Sequence, residues 1–180
     1  MKQTGGTILL TTERLILRRY TLEDAVTLHQ LFGIDRKMFE YTGWNPYETA
    51  EKARDTVQNY LSEYENPHFY GWAIESEGQL TGTIGAYDYD PEHSRIEVGG
   101  SIARLFWGRG FASEALHRVL IYLTTEEQIR TVTAWCAADN AASGKVMEKA
   151  GMLLNRVEKN ALTVENRVFD KAYFEYYSVK

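Results

Sequence analysis

Leu105-Phe106-Trp107-Gly108-Arg109-Gly110-Phe111-Ala112-Ser113-Glu114-Ala115 is the stretch on which the reading of this chain turns. It follows an apolar, strand-like run and leads into apolar residues at helical spacing, so it reads as strand, glycine turn, helix. A helix that starts straight out of such a turn leaves several backbone N–H groups without intrahelical acceptors, converging at its positive end. Gly108 and Gly110 allow unusual dihedrals and a close backbone approach, Arg109 adds a mobile positive charge, and Ser113 adds a hydroxyl. The turn is thus an anion site of a size that suits a pyrophosphate. It has no G-x-x-x-x-G-K-[ST] pattern and no third glycine for G-x-G-x-x-G, so it lacks the defining residues of a P-loop or a dinucleotide fingerprint. Taken alone, it is also compatible with an ordinary glycine turn before a helix.

Upstream of the turn, Leu15 to Tyr20 reads as a strand. Thr21 is a candidate N-cap, with Asp24 at the acidic third position, for a helix carrying Ala25, Leu28, Leu31 and Phe32. Ala50, Ala53, Val57, Tyr60, Leu61 and Tyr64 predict a second amphipathic helix over Glu48 to Glu65, between Pro46 and Pro67. Phe69 to Glu75, Leu80 to Asp88 and Arg95 to Ala103 follow as an antiparallel meander, with turns at Glu77-Gly78 and Asp90-Pro91.

Downstream come a helix over about Phe111 to Thr125, a strand at Thr131 to Ala137, a helix over about Asn140 to Lys149 closed by Gly151, and closing strands ending in the Tyr-rich run Ala172 to Val179. Mixed antiparallel and βαβ signals, with about four helices, predict an α+β fold in one domain over residues 1–180. Gly99 and Gly100 suit a β-bulge and leave room for something to approach the strand.

The 20 Lys and Arg against 25 Asp and Glu, net charge −5, give no basic footprint for nucleic acid. The single Cys136 forms neither an internal disulfide nor a cysteine metal cluster; its alternation with Val132 and Ala134 reads as a core position. His29, His68, His93 and His117 have no metal-ligand spacing, so no metal is expected. Met1 to Thr12 carries no charged leader with an apolar run, and no stretch approaches the ~20 apolar residues of a membrane span. A cytoplasmic protein, monomer or homodimer, is the expectation. Tyr20, Tyr41, Trp44, Tyr70 and Trp72 read as core aromatics in preference to a cleft lining.

Four stretches together resemble the GNAT superfamily of N-acetyltransferases, in its ribosomal-protein N-terminal (RimJ/RimL-like) branch. They are Thr12-Glu-Arg-Leu-Ile-Leu-Arg18 with Asp24-Ala25, Ile96-Glu-Val-Gly99, Trp107 to Ala115, and Asn140-Ala-Ala-Ser143 running into Glu148-Lys-Ala-Gly151. Trp107 stands where the superfamily usually has Gln or Arg, as is common in this branch. The resemblance implies a mostly antiparallel sheet splayed open beside a β-bulge at Val98 to Ser101, with acetyl-coenzyme A as co-substrate. Its pantetheine arm would pair with Gly99, Gly100, Ser101 and Ile102, and its pyrophosphate would sit on Trp107, Gly108, Arg109, Gly110, Phe111, Ala112 and Ser113, with Asn140 touching the arm.

By the same resemblance, Glu97 is the general base that draws a proton from the amine, a backbone N–H in the Val98 to Ser101 segment stabilises the oxyanion, and Ser143 returns a proton to the thiolate. Without the resemblance, Glu97 reads in preference as a solvated strand glutamate or one paired to Arg95 or Arg104, and Asn140 with Ser143 reads as a helix cap and first turn. The acceptor implied is a primary amine, foremost a ribosomal-protein N-terminus. Polyamines, aminoglycosides and amino-acid-like amines satisfy the same chemistry, and a non-catalytic acyl-coenzyme A binding module is the rival class.

Overall fold

The computed structural model describes residues 5–178. Val179, the expected end of the last strand, lies outside the described residues, as do the first four residues of the Met1 to Thr12 segment. One eight-stranded sheet organises the chain, with strand order β1-β2-β3-β4-β5-β6-β8-β7. Its members are β1 (Leu10–Thr11), β2 (Ile16–Arg18), β3 (Tyr70–Ser76), β4 (Gln79–Asp90), β5 (Arg95–Ile102), β6 (Thr131–Ala137), β7 (Leu153–Val164) and β8 (Arg167–Tyr177). Every neighbouring pair is antiparallel except β5 and β6. That parallel step requires a crossover, supplied by α3 (Phe111–Ile121). The meander, the crossover and the α+β class are as the residue pattern predicts.

The two faces of the sheet divide the helices. Leu17, Trp72, Ile74, Ile96, Val98, Val132, Ala134, Cys136 and Phe174 are buried and share one face by the strand registers. α3 packs there through Phe111, Ala115, Leu116, Val119 and Leu120. Each of its fully buried large aliphatics contributes about 1.5–3 kcal/mol. The helix continues as a π-turn, Tyr122–Glu126, whose Tyr122 ring meets Trp72 edge-on at 6.0 Å. α4 (Ala141–Lys149) lies on the same side, with Gly144 facing Phe174.

On the opposite face sit α1 (Asp24–Leu28), extended by a π-turn over His29–Gly33, and α2 (Ala50–Glu63). Tyr20 stacks on Tyr60 at 5.0 Å, and the Tyr20 and Tyr64 hydroxyls donate to the Trp72 and Gly71 carbonyls.

The cap at Asn140 and the stop at Gly151 act as read, whereas the cap expected at Thr21 falls to Glu23, which makes no side-chain capping bond. Thr49 caps α2 by accepting from the Lys52 N–H at 3.1 Å, and Asn140 caps α4 by accepting from the Ser143 N–H at 3.2 Å. Asp24 reaches back to the Thr21 N–H at 2.8 Å and also holds Arg18 through two bonds of 2.8 and 2.9 Å. After α4, Gly151 takes φ +99, with Met152 N–H on the Met147 carbonyl and Gly151 N–H on the Glu148 carbonyl, both at 3.0 Å. This is the Schellman closure.

Two expectations need correction. The bulge is not on β5 at Val98 to Ser101. Pairing with β4 is unbroken from Gly82↔Ile102 to Tyr87↔Glu97, and the register slips between Tyr87 and Asp90, where Asp88 has φ +56. The extra residue belongs to β4, at the hairpin end. Among the aromatics, Trp44 is 68% exposed and not core, whereas Tyr20, Tyr70 and Trp72 are buried.

Gly100 of β5 is required by the neighbouring strand. A Cβ on Gly100 would lie 2.5 Å from the Thr83 carbonyl oxygen and 3.0 Å from the Ile84 Cα, both backbone atoms that cannot rotate away. Gly100→Ala is therefore expected to cost about 1–3 kcal/mol and to lower the Tm by several degrees in a thermal melt. An unchanged Tm would show that β4 and β5 have slack at this point.

Candidate active site

The parallel ladder between β5 and β6 is short: Arg95↔Thr131, Ile96↔Val132, Glu97↔Thr133, and nothing beyond. β6 continues to Ala137 paired only with β8, and β5 continues to Ile102 paired only with β4. Between Val98–Ile102 and Ala134–Ala137 the sheet therefore has two facing edges, a cleft inside the sheet.

The register says which backbone groups line it. Ala103 N–H donates to the Thr81 carbonyl at 2.8 Å, so 81 and 103 form a hydrogen-bonded pair, and by the two-residue alternation so do 83 with 101, 85 with 99 and 87 with 97. Gly99 and Ser101 thus spend their backbone groups on β4. The Val98 carbonyl, both groups of Gly100 and those of Ile102 point into the cleft, and Gly100 N–H is the first donor past the last parallel rung.

The Trp107 to Ser113 turn stands at the far end of β5. Trp107 Nε1–H donates to the Ile102 carbonyl at 2.7 Å, taking up one edge acceptor. Gly108 and Gly110 have φ +75 and +79, in the left-handed region the sequence led one to expect, and Gly110 is the N-cap residue of α3. The N–H groups of Phe111, Ala112 and Ser113 open the helix. Arg109 extends over the Phe106 ring at 5.3 Å. Ser113 Oγ donates to its own turn, to the Gly110 carbonyl at 3.1 Å.

Sequence reasoning missed what holds this turn. Arg14 donates to the Arg109 carbonyl at 2.8 Å and to Glu114 at 2.7 Å through Nε, and Thr12 Oγ1 donates to Glu114 at 2.5 Å. Partial burial pushes the Glu114 carboxyl up, but these bonds outweigh it and hold it below the ordinary range. The pattern Thr12-Glu-Arg14 was visible; its contact with a residue 100 positions away was not.

Glu97 sits at the apex of the cleft on the helix α1/α2 face, half-buried. Trp135 Nε1–H donates to its Oε1 at 2.9 Å, and Tyr87 stands directly opposite it on β4, its hydroxyl pushed up in part by the Glu97 charge. Neither partner was expected. Ser143 lies across the cleft in the first turn of α4, which follows β6, and its hydroxyl has no partner among the described residues. Glu97 thus stands on β5 on the α1/α2 face and Ser143 in the helix that follows β6 on the α3 face, and Asn140 spends its side-chain oxygen on capping.

The residues read as bystanders behave so. Cys136 is buried on the α3 face, and burial pushes its thiol up to about 11. His117 Nδ1 lies 3.0 Å from the Ala150 carbonyl, joining α3 to the end of α4. No group of three His, Cys, Asp or Glu able to hold a metal occurs among the described residues, and none of the described helices is long and apolar enough to cross a membrane.

The chain and its fold are similar to known proteins. Residues 14–153 match the acetyltransferase (GNAT) domain family. The uncharacterised N-acetyltransferase YoaA of Bacillus subtilis is 30% identical over 168 residues, covering 89% of this chain and 94% of the relative. The ribosomal-protein-serine acetyltransferase of Escherichia coli is 25% identical over 152 residues, covering 83% and 85%. Among solved structures, a GNAT-family acetyltransferase from Bacillus anthracis superposes with TM-score 0.82 at 25% identity, over 95% of this chain and 99% of that one. RimL, a ribosomal L7/L12 α-N-protein acetyltransferase in complex with coenzyme A, superposes with TM-score 0.84 at 21% identity, over 94% and 98%. With its split sheet, its glycine turn and these relatives, the chain belongs to the GNAT family of acetyltransferases.

Proposed function

We propose that this chain is a single-domain enzyme that transfers an acetyl group from acetyl-coenzyme A to a protein N-terminal α-amine by direct attack in a ternary complex. The observation that carries the reading is the cleft between β5 and β6 leading from Glu97 to the Trp107–Ser113 turn. The fit is chemical as well as topological. An extended amide-bearing arm finds donors and acceptors along the Val98, Gly100 and Ile102 edge, and a pyrophosphate finds two left-handed glycines, a helix N-terminus and Arg109. Bound there, acetyl-coenzyme A supplies an activated thioester.

The chain's own groups then divide three tasks. Glu97 receives the amine proton at its carboxylate. Gly100 N–H, the first edge donor past the last rung, faces the developing oxyanion; one such donor is worth about 3–4 kcal/mol. Ser143 Oγ, without a partner among the described residues, donates to the departing thiolate.

Two arguments support an α-amine as acceptor. With an ordinary pKa near 7.7–8.0, roughly a tenth of it is neutral at pH 7, against a few lysines in ten thousand. The similarity to the ribosomal-protein-serine acetyltransferase points the same way.

An amine panel of N-terminal peptides, lysine peptides and polyamines, read by free thiol release, tests the reading. Release is expected to be fastest with N-terminal peptides; tight cofactor binding with no amine-dependent release would leave a binding module instead. Glu97→Gln is expected to slow turnover most at low pH, where the amine is protonated and needs a base, with cofactor affinity unchanged. Equal rates across pH would remove Glu97 from that role. Gly110→Val forces a β-branched residue to φ +79 and is expected to weaken coenzyme A binding about tenfold or more, from strain of roughly 1–3 kcal/mol; an unaltered dissociation constant would misplace the pyrophosphate.

A further inference from the structure

We propose that Tyr87 and Trp135 are positioning residues that hold the Glu97 carboxylate from two strands, one on each side of β5. The inference rests on Glu97 as the base. Tyr87 comes from β4, directly opposite Glu97 in the register. Its hydroxyl lies over Gly99, 2.7 Å from where a Cβ there would stand, so the absence of a side chain at 99 is what admits it. Trp135 comes from the free part of β6, two residues past the last parallel rung, and reaches back across the apex to place Nε1 2.9 Å from Glu97 Oε1. Lys171 of β8 fixes the indole from above, its Nζ 4.1 Å from the ring centroid. The carboxylate therefore bridges the two walls of the cleft where they part.

The indole N–H on one oxygen and the Tyr87 side chain opposite restrict the carboxylate's rotation and keep its acceptor lone pairs aimed at the opening, which matters because a base must meet its proton within hydrogen-bond reach. Tyr87 itself is not the acid. Burial first, and then the Glu97 charge, push its hydroxyl well above the usual tyrosine range. It stays protonated, and it is a poor proton source for a thiolate.

A double-mutant cycle tests this. Tyr87→Phe keeps the ring and removes only the hydroxyl. It is expected to lower kcat about tenfold, equivalent to about 1.4 kcal/mol, while the acetyl-coenzyme A dissociation constant and the Tm stay near wild type. Trp135→Phe is expected to do the same.

In the Glu97→Gln background neither change should cause a further loss, because the group they orient is gone. Unchanged kcat in both single variants, a full additive loss on top of Glu97→Gln, or weakened cofactor binding in Tyr87→Phe would each overturn the proposal. The underlying reading fails separately, through wild-type rates in Glu97→Gln alone.

Discussion

The parallel pairing of β5 and β6 stops after three residue pairs, and the site depends on that interruption. A continuous ladder would consume every backbone group of β5 between its two neighbours and leave nothing to bind. By ending at Glu97 and Thr133 it leaves Val98, Gly100 and Ile102 with edge groups inside a sheet, where they are flanked by packed structure and protected from the pairing with foreign strands that an outer edge invites. It also places the first side chain of the apex, Glu97, at the meeting point of three strands. The crossover through α3 then follows from topology: a parallel partner needs a long crossover, usually helical, and the glycine turn after β5 opens that helix.

The glycines divide by cause. Gly108 and Gly110 are demanded by dihedral angle, at φ +75 and +79. Gly99 and Gly100 are demanded by proximity to β4, the first under the Tyr87 hydroxyl and the second against the Thr83 carbonyl. The bulge expected from that pair lies instead in β4, so the same residues that suggested a bulge serve flat, close strand packing. Only the alternation of hydrogen-bonded pairs separates the groups spent on β4 from those left for the cleft, and it removes Gly99 and Ser101 from the backbone contacts first assigned to them.

Much of this was legible in the residues. The meander, the βαβ crossover, the cap at Asn140 and the Gly151 stop are local signals, and local signals survive folding. The partners of Glu97 were not legible, because Tyr87 and Trp135 meet it through two registers, one antiparallel and one parallel, and no spacing along the chain encodes both. Arg14 and Thr12 escaped for the same reason. The final strand was read too short: β8 begins at Arg167, and β7, exposed along almost its whole length, lacks the apolar alternation that would mark it.

The bond from Thr12 to Glu114 closes a span of 102 residues. During synthesis the anion turn has its local bonds from Trp107 and Ser113 but lacks its tie to Thr12 and Arg14; for that it waits on a segment that left the ribosome long before and must be kept available. Local helices and hairpins form early, while contacts of such separation are entropically costly and come late. A nascent or partly unfolded chain would thus carry a formed meander and a loose turn, and the capacity to hold an anion would arise among the last events of folding.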